Sequence, residues 1–343
     1  VSRQTYDNWE LILADASKTD AVQTALDAFE FPGNTIDKVK YFRLEENGGI
    51  SANTNAAIEK AEGDYIALLD HDDLLSSDAL FQQVVTINEY LEAHGREALS
   101  EILAVYSDED KCDKDAKRFF ETHVKPEFDP YLLETNNYIC HFLMVRASLL
   151  KELKLRPAFD GAQDFDLILR IADKEGVVLH TPLVIYHWRV HATSTAGNRD
   201  SKLYAYEAGR KAILEHFERI GLSDHVTVKD SRHLGFYDIE YDTDVLTLRS
   251  ELHGVCGKLV AQGKIEMAPI FDTMPDVIGA DAQDSGYMHR LHLSMRAFVH
   301  RTQVSAGVPL RLRDGLVVAD GEKEGMDPAE LVLLYDPNFT EVK

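Results

Sequence analysis

Basic residues are scarce in this chain of 343 residues, which has 36 Lys and Arg against 59 Asp and Glu and a formal net charge of −23. An acidic chain of this kind has no broad attraction for nucleic acid or for anionic lipid. We therefore expect no nucleic-acid partner. An anionic ligand would have to be held locally, by a metal ion, a helix N-terminus or a few basic side chains.

Cysteines and long apolar runs are also scarce. The three cysteines, Cys112, Cys140 and Cys256, form no CxxC pair and no metal-type spacing, so a reducing compartment is favoured over a disulfide framework. No apolar run approaches the ~20 residues that a membrane-spanning helix needs, and no signal peptide is visible. We expect a cytoplasmic protein, with peripheral association at the inner face of the membrane arising through an acceptor or a partner.

Apolar runs and helical patterns alternate along the chain. Strands are predicted at 9–14, 39–44, 65–69, 102–106, 142–145 and 184–191, and helices up to about residue 30 and at 50–61, 77–94, 160–173 and 202–219. This alternation predicts an α/β fold with a mainly parallel sheet covered by helices on both faces. The patterning weakens at about 225–250, so we expect a main domain over 1–225 and a smaller C-terminal region over 226–343.

Three carboxylates directly follow the apolar strand 65–69, in the run Asp70-His71-Asp72-Asp73. Acids this close repel one another unless a cation lies among them, and Mg²⁺ and Mn²⁺ prefer such oxygen ligands. In open α/β sheets, ligands gather at the carboxyl ends of the strands, so a metal site is favoured over a solvated turn. Asp15 also ends an apolar strand; it is either a turn residue or a hydrogen-bond acceptor for a nucleotide base.

Two later segments carry further candidates. Asp164 lies near the start of a predicted helix, where it is either an acid favoured by the helix dipole or a general base. In the run 186–191, strand alternation puts His187, Arg189 and His191 on one face. Such a face could bind a metal ion or a diphosphate. It is equally typical of the solvent-facing polar side of an edge strand.

Several motifs occur in one order along residues 3–220. They are Gln4-Thr5-Tyr6-Asp7-Asn8-Trp9, Asn47-Gly48-Gly49-Ile50-Ser51-Ala52-Asn53-Thr54-Asn55, Gly63-Asp64-Tyr65 through Asp73, Ser107-Asp108-Glu109-Asp110, Asn137-Tyr138-Ile139-Cys140-His141, Gln163-Asp164-Phe165-Asp166-Leu167 and Tyr186-His187-Trp188-Arg189-Val190-His191. Together they resemble the family-2 glycosyltransferases, which have the GT-A fold, and most of all the bacterial enzymes that build surface polysaccharides such as O-antigen.

The resemblance implies a metal-dependent, inverting enzyme. It would move a hexosyl or deoxyhexosyl unit from a nucleotide-sugar donor to a hydroxyl of a glycan or lipid-linked acceptor, with Mn²⁺ or Mg²⁺ as cofactor. The residue roles that it implies are Asp15, Asn55, Asp70 and Arg189 for the donor, Asp70 and Asp72 with His191 and His187 for the metal or diphosphate, and Asp164 as the catalytic base.

Two departures from the family leave alternatives open. The family begins with a strand that precedes the first residue of this sequence, so the first strand of the sheet is expected to be missing. The region 226–343 resembles, faintly, a degenerate remnant of a second transferase domain. A catalytically inactive sugar-nucleotide or glycan-binding module is therefore one alternative function. A nucleotidyltransferase is another, disfavoured because the sequence lacks a GxxxxGK[ST] loop for a triphosphate.

Overall fold

The fold is given by a computed structural model. It describes residues 1–33, 35–190, 199–230, 235–242, 248–249, 254–261, 264–267, 310–312, 315–317 and 333–342. The chain divides into two compact units, one formed by Val1–Thr122 with Ile139–Ala212 and the other by His123–Tyr138 with Ile213–Lys343.

Strands and helices alternate through the first unit. In chain order they are β1 (Leu11–Asp15), α1 (Ala21–Ala28), β2 (Val39–Arg43), α2 (Ile50–Lys60), β3 (Tyr65–Ala67), β4 (Leu74–Leu75), α3 (Ala79–His94), β5 (Ile102–Cys112), β6 (Phe119–His123), α4 (Pro130–Leu133), β7 (Leu143–Arg146), α5 (Ala147–Leu153), α6 (Gln163–Ala172), β8 (Val177–Arg189) and α7 (Arg199–Arg219). Of these, β6 ends in the second unit, α4 lies within it and α7 runs on into it. The α/β class expected from the sequence is confirmed.

The central sheet is mixed, which corrects the expectation of a mainly parallel one. Its strand order is β3-β7-β5-β8-β4, with β6 paired to β5. Strands β5 and β8 are parallel, whereas β7 runs antiparallel to both of its neighbours and β4 runs antiparallel to β8. Strands β1 and β2 form a separate parallel pair.

Polar contacts fasten the beginning of the chain to this sheet. The Glu10 carboxylate accepts the main-chain N–H groups of Glu62 and Gly63 and pairs with Lys40 at 2.7 Å. The buried Gln4 side chain donates to the Ser76 carbonyl at 2.6 Å and accepts the Leu80 N–H at 2.9 Å. Because Leu80 lies in the first turn of α3, Gln4 satisfies one of the N–H groups that a helix start leaves open.

Apolar packing joins α3 to the sheet. Ile87 of α3 packs with Ile102 and Val105 of β5 and Met144 of β7 in one buried cluster. Full burial of an aliphatic side chain contributes about 1.5–3 kcal/mol, so this cluster anchors the strands that carry the polar residues described below.

The start of α2 is held by a residue that lies more than a hundred positions later. Asp160 accepts the Ser51 N–H at 3.0 Å, which satisfies one open donor of that helix start. Gly49 precedes the helix with φ of 92°, and a Cβ there would lie 2.8 Å from the Asp160 carboxylate. Glycine therefore allows both the left-handed backbone and the close approach of Asp160.

The second unit contains short strands. They are β9 (Val226–Asp230), β10 (Tyr237–Tyr241), β11 (Gly254–Ala261), β12 (Lys264–Met267), β13 (Leu310–Leu312), β14 (Gly315–Val317) and β15 (Leu333–Val342). The segment His123–Tyr138 belongs here because buried Glu134 pairs with His216 and Arg249. Along the chain the second unit resumes at Ile213, and the domain division predicted at 225 stays a prediction. The remnant-domain interpretation of 226–343 stays a prediction, since much of that region lies outside the described residues.

Candidate active site

A turn between β3 and β4 carries the acidic cluster. The Asp73 N–H bonds to the Asp70 carbonyl at 3.2 Å and closes the turn. Strand β4 then pairs Leu74 with His187 and Leu75 with Tyr186 of β8. The carboxylates therefore follow one strand of the sheet, as the sequence predicted, and precede a second strand, β4, which it did not predict.

Three potential metal-ligand atoms come together at this turn. They belong to Asp70, Asp73 and His141, and all lie within 4.8 Å of one another. Two ligands at about 2.1 Å from one ion lie roughly 3 to 4 Å apart. The three atoms, one of them from the 66%-exposed side chain of Asp70, therefore lie near the spacing that a single ion requires.

The imidazole of His141 is held from two sides. Its main-chain N–H and its Nδ1 both approach Oε2 of Glu109, with Nδ1 at 3.2 Å. One face of the ring stacks on Tyr186, with centroids 4.8 Å apart and planes 9° apart. Its Nε2 lies 3.8 Å from Oδ2 of Asp70. The ring is thereby fixed with Nε2 directed toward Asp70.

Asp73 is held by β8. The Tyr186 hydroxyl donates to one carboxylate oxygen and the Arg189 main-chain N–H donates to the other, at 2.7 Å in the second case. Burial raises the pKa of Asp73, and the bonds from Tyr186 and Arg189 oppose that shift. Burial also raises the pKa of Tyr186, as do the charges of Asp70 and Asp73. Tyr186 therefore stays a neutral donor.

The acidic groups of the cluster perturb one another. Loss of hydration raises the pKa of Asp70, and the charges of Asp164 and Asp72 raise it further, against the opposing effect of His141. Burial alone would lower the pKa of His141, but the Glu109 bond and the charges of Glu109, Asp70 and Asp164 outweigh it and raise that pKa to about 9. A divalent cation would relieve the repulsion among the carboxylates.

Asp164 lies beside this cluster, in the first turn of α6. Its charge contributes to the pKa shifts of Asp70, His141 and Cys140, and it is hydrogen-bonded to the Cys140 thiol. Burial raises the pKa of Cys140, so this side chain is a neutral thiol donor.

Asp166, two residues further along α6, points elsewhere. Its fully buried carboxylate pairs with both Arg156 and Arg170. Positions i and i+2 of a helix are about 200° apart. Helical geometry therefore explains why Asp164 lies at the cluster while Asp166 stabilises the interior.

Three predicted site residues have hydrogen-bond partners among the described residues, and the roles expected for them stay predictions. His187 bonds through Nδ1 to Asp110 at 2.6 Å and through Nε2 to Ser76 at 3.1 Å, because strand alternation turns it away from Tyr186. The Arg189 guanidinium donates to the carbonyls of Asp72 and Lys114, at 2.6 Å each.

Asn55 is the third of these residues. Its amide donates to the Leu155 carbonyl at 2.7 Å and accepts the Leu155 N–H at 2.9 Å. Both ends of the amide are thus bonded to the main chain of one residue, and Asn55 fastens α2 to the segment after α5.

Of the other residues predicted for the site, Asp15 and Asp72 lie within the described part of the chain. Asp15 ends β1 and accepts the Ser17 N–H and the Tyr41 hydroxyl, both at 2.8 Å. These bonds from Ser17, and then that from Tyr41, lower the pKa of Asp15. Asp72 is close enough to Asp70 to raise its pKa. His191 lies outside the described residues.

Sequence reasoning did not identify His141, Glu109 or Tyr186 as site residues. The available signal was weak: His141 ends the motif Asn137-Tyr138-Ile139-Cys140-His141, and Glu109 lies in an acidic run. Contacts across the sheet bring the three together, and no local periodicity encodes such contacts.

Fold and site together define an α/β protein with a candidate divalent-metal centre. Residues 1–154 match the family model described as Glycosyl transferase family 2. This part of the chain is therefore similar to the family-2 glycosyltransferases, the family that the sequence motifs resemble. None of the helices within the described residues has the length and apolarity to cross a membrane.

Two curated relatives extend the similarity beyond residue 154. The chain is 40% identical over 223 residues to the "Uncharacterized protein y4gI" of Sinorhizobium fredii, an alignment covering 64% of this chain and 23% of that protein. It is 30% identical over 231 residues to the O-antigen biosynthesis protein RfbC of Myxococcus xanthus, covering 66% of this chain and 17% of that protein. The chain thus spans less than a quarter of either relative.

Among solved structures, the chain is similar to S. aureus TarS 1-349 in complex with UDP, with 16% identity, a TM-score of 0.42, and coverage of 65% of this chain and 63% of that one. It is also similar to the mannosyltransferase PcManGT from Pyrobaculum calidifontis in complex with GDP-Man and Mn²⁺. There the identity is 18% and the TM-score 0.40, over 63% of this chain and 56% of that one.

Proposed function

We propose that this protein transfers a hexosyl or deoxyhexosyl unit from a nucleotide-sugar donor to a hydroxyl of a glycan or lipid-linked acceptor during synthesis of a surface polysaccharide. The family match of residues 1–154 and the O-antigen name of one relative support the reaction class. The observation that carries the proposal is the juxtaposition of Asp164, in a helix start, with the Asp70, Asp73 and His141 cluster.

The cluster fits a divalent cation, Mn²⁺ or Mg²⁺. Two carboxylates and one imidazole supply oxygen and nitrogen ligands, and such groups bind first-row divalent metals. Asp70 and Asp73 would hold the ion together with His141, and Asp72, which the sequence predicted as a ligand with Asp70, stays a proposed ligand beside them. Bound there, a divalent ion neutralises the charge that develops on the leaving diphosphate.

Asp15 is proposed to recognise the nucleotide base. Its carboxylate is fixed at the end of β1 by Ser17 and Tyr41. Each carboxylate oxygen has two lone pairs, so both retain the capacity to accept an N–H from a base such as uracil.

Asp164 is proposed as the general base. It takes the proton of the acceptor hydroxyl while the acceptor oxygen bonds to the anomeric carbon and the nucleoside diphosphate leaves with the electrons of its bond. This single displacement inverts the anomeric centre. The helix dipole favours the ionised carboxylate that the role requires.

The test replaces Asp164 with asparagine in the full chain. General-base catalysis is worth about 10²–10⁴-fold, so single-turnover transfer from a panel of nucleoside-diphosphate sugars should fall by about that factor in Asp164→Asn. Nucleotide affinity in the presence of Mn²⁺ should stay within about threefold, because the variant keeps the size and hydrogen bonding of the side chain.

Glu152→Gln is the matched control, since Glu152 is an exposed helix acid paired with Lys174. Transfer by this variant should equal that of the wild type. Wild-type rates in Asp164→Asn would place the base elsewhere. An absence of transfer with every donor would favour the inactive binding module.

A further inference from the structure

Three consecutive acids of β5 each hold a histidine. The pairs are Asp108 with His180 at 2.9 Å, Glu109 with His141 at 3.2 Å, and Asp110 with His187 at 2.6 Å. All three carboxylates are buried, with residue exposures between 0% and 8%. The pairs occupy successive positions of one strand, so the surroundings of each imidazole decide what it can do.

The Glu109–His141 pair differs from its neighbour in where the second ring nitrogen points. Nε2 of His187 lies 3.1 Å from the Ser76 hydroxyl, within the protein's own hydrogen bonding. Nε2 of His141 lies beside the Asp70 carboxylate, in the group of three potential metal-ligand atoms. This imidazole alone of the three belongs to that group among the described residues.

Glu109 fixes both the position and the tautomer of His141. One of its oxygens receives the His141 main-chain N–H and also faces Nδ1. In the neutral ring, a carboxylate at Nδ1 favours the proton on Nδ1 and the lone pair on Nε2. Because the pKa of His141 is raised to about 9, binding of a metal at Nε2 releases the second proton. Metal-binding histidines in proteins use this arrangement, in which an outer carboxylate orients the ring and increases its basicity.

We propose that Glu109 is a positioning residue that holds His141 as a nitrogen ligand of the divalent-metal centre, and that the resulting mixed ligand set selects Mn²⁺ over Mg²⁺. The proposal rests on the proposed function, because it requires a metal at Asp70 and Asp73. Selectivity follows from ligand chemistry: Mg²⁺ is a hard cation that takes oxygen ligands, whereas imidazole binds first-row transition metals.

The first experiment asks whether nitrogen binds the metal. The full-length wild-type protein is loaded with Mn²⁺ and examined by electron spin echo spectroscopy, before and after labelling of its histidines with ¹⁵N. A nitrogen coupling that changes with the label is expected. The coupling from the His141 nitrogen should be lost in His141→Gln and retained in His94→Gln, because His94 is exposed and bonded to the Tyr90 carbonyl. A coupling that is unchanged in His141→Gln would overturn the proposal.

The second experiment asks whether Glu109 acts through His141. Loss of an outer partner typically costs 10- to 100-fold in metal affinity. We expect Glu109→Gln, which keeps the shape but weakens the acceptor, to lower Mn²⁺ affinity by about tenfold and to change Mg²⁺ affinity by less than about twofold. Calorimetric titration of the nucleotide-free protein measures both.

Asp110→Asn is the matched control, because this neighbouring acid holds a histidine in the same way on the same strand. Equal losses of Mn²⁺ affinity in Glu109→Gln and Asp110→Asn would reduce Glu109 to a structural role. If Glu109→Gln does not fold, the ratio of Mn²⁺ to Mg²⁺ affinity in the wild type decides: a preference for Mn²⁺ below about threefold contradicts the proposal. Binding of Mn²⁺ without nitrogen coupling refutes this inference alone, whereas failure of the wild type to bind either metal refutes the proposed function.

Discussion

Glu109 and Asp110 are neighbours on β5, and each holds one imidazole at its Nδ1 atom. The chemistry of the two pairs is nevertheless different. His187 is bonded on its other side to Ser76 and joins β8 to the turn before α3, whereas His141 faces Asp70 and the acidic turn. An acid–histidine pair therefore carries no function by itself; the group that the second ring nitrogen meets determines the role.

The comparison is tested most strongly by His141→Gln. Loss of this ring should lower Mn²⁺ affinity by about a hundredfold, the upper range for disturbing a metal-binding histidine, or about 2.7 kcal/mol. Calorimetric titration in the absence of nucleotide measures the loss. Mg²⁺ affinity should change much less, and an equal loss for both ions would contradict a nitrogen ligand.

His187→Gln tests the other pair. The variant weakens the bonds to buried Asp110 and to Ser76, so the free energy of unfolding should fall by about 1–3 kcal/mol. Mn²⁺ affinity should stay within about twofold of the wild type. Urea unfolding and metal titration on the same preparation give both values. A large loss of metal affinity without loss of stability would instead support the sequence-based prediction that His187 binds the metal.

Tyr186→Phe should give the smallest of the three effects. It keeps the ring that stacks on His141 but removes the hydroxyl that donates to Asp73. We expect Mn²⁺ affinity to fall by about tenfold, the lower end of the range for an outer partner of a ligand. Tyr41→Phe removes a comparable bond to Asp15 and should leave metal affinity unchanged. Equal effects of the two variants would remove Tyr186 from the metal centre.

The sequence predicted the repeated strands and helices well where local periodicity decides them. Helix α2 was expected at 50–61 and is found at Ile50–Lys60. Strand β5 was expected to end at Tyr106 but continues to Cys112. From the sequence, the acidic run 107–110 was interpreted as the polar end of this strand. The three histidines that pair with its buried carboxylates are distant in sequence, so no local pattern reveals the pairing.

In the candidate site, too, some residue positions follow from local sequence pattern and others depend on contacts between distant residues. The positions of Asp70, after an apolar strand, and Asp164, at a helix start, follow from local pattern. The position of His141 depends on Glu109 and Tyr186, which lie on two other strands. His187 was predicted at the metal site from the face that it shares with Arg189 and His191, and this stays a prediction. Alternation separates that face from Tyr186 but does not state which face meets the acidic turn.

The contact between Gly49 and Asp160 restricts how sequences with this backbone can vary. A side chain at position 49 would collide with the carboxylate that caps α2, and Asp160 lies just before the helix that carries Asp164. Two changes would avoid this collision. Residue 160 could be shorter, in which case it would no longer accept the N–H at the start of α2, or the loop before α6 could shift. The two positions are therefore expected to covary, so that a change far from the reacting groups in sequence is linked to the placement of the proposed base.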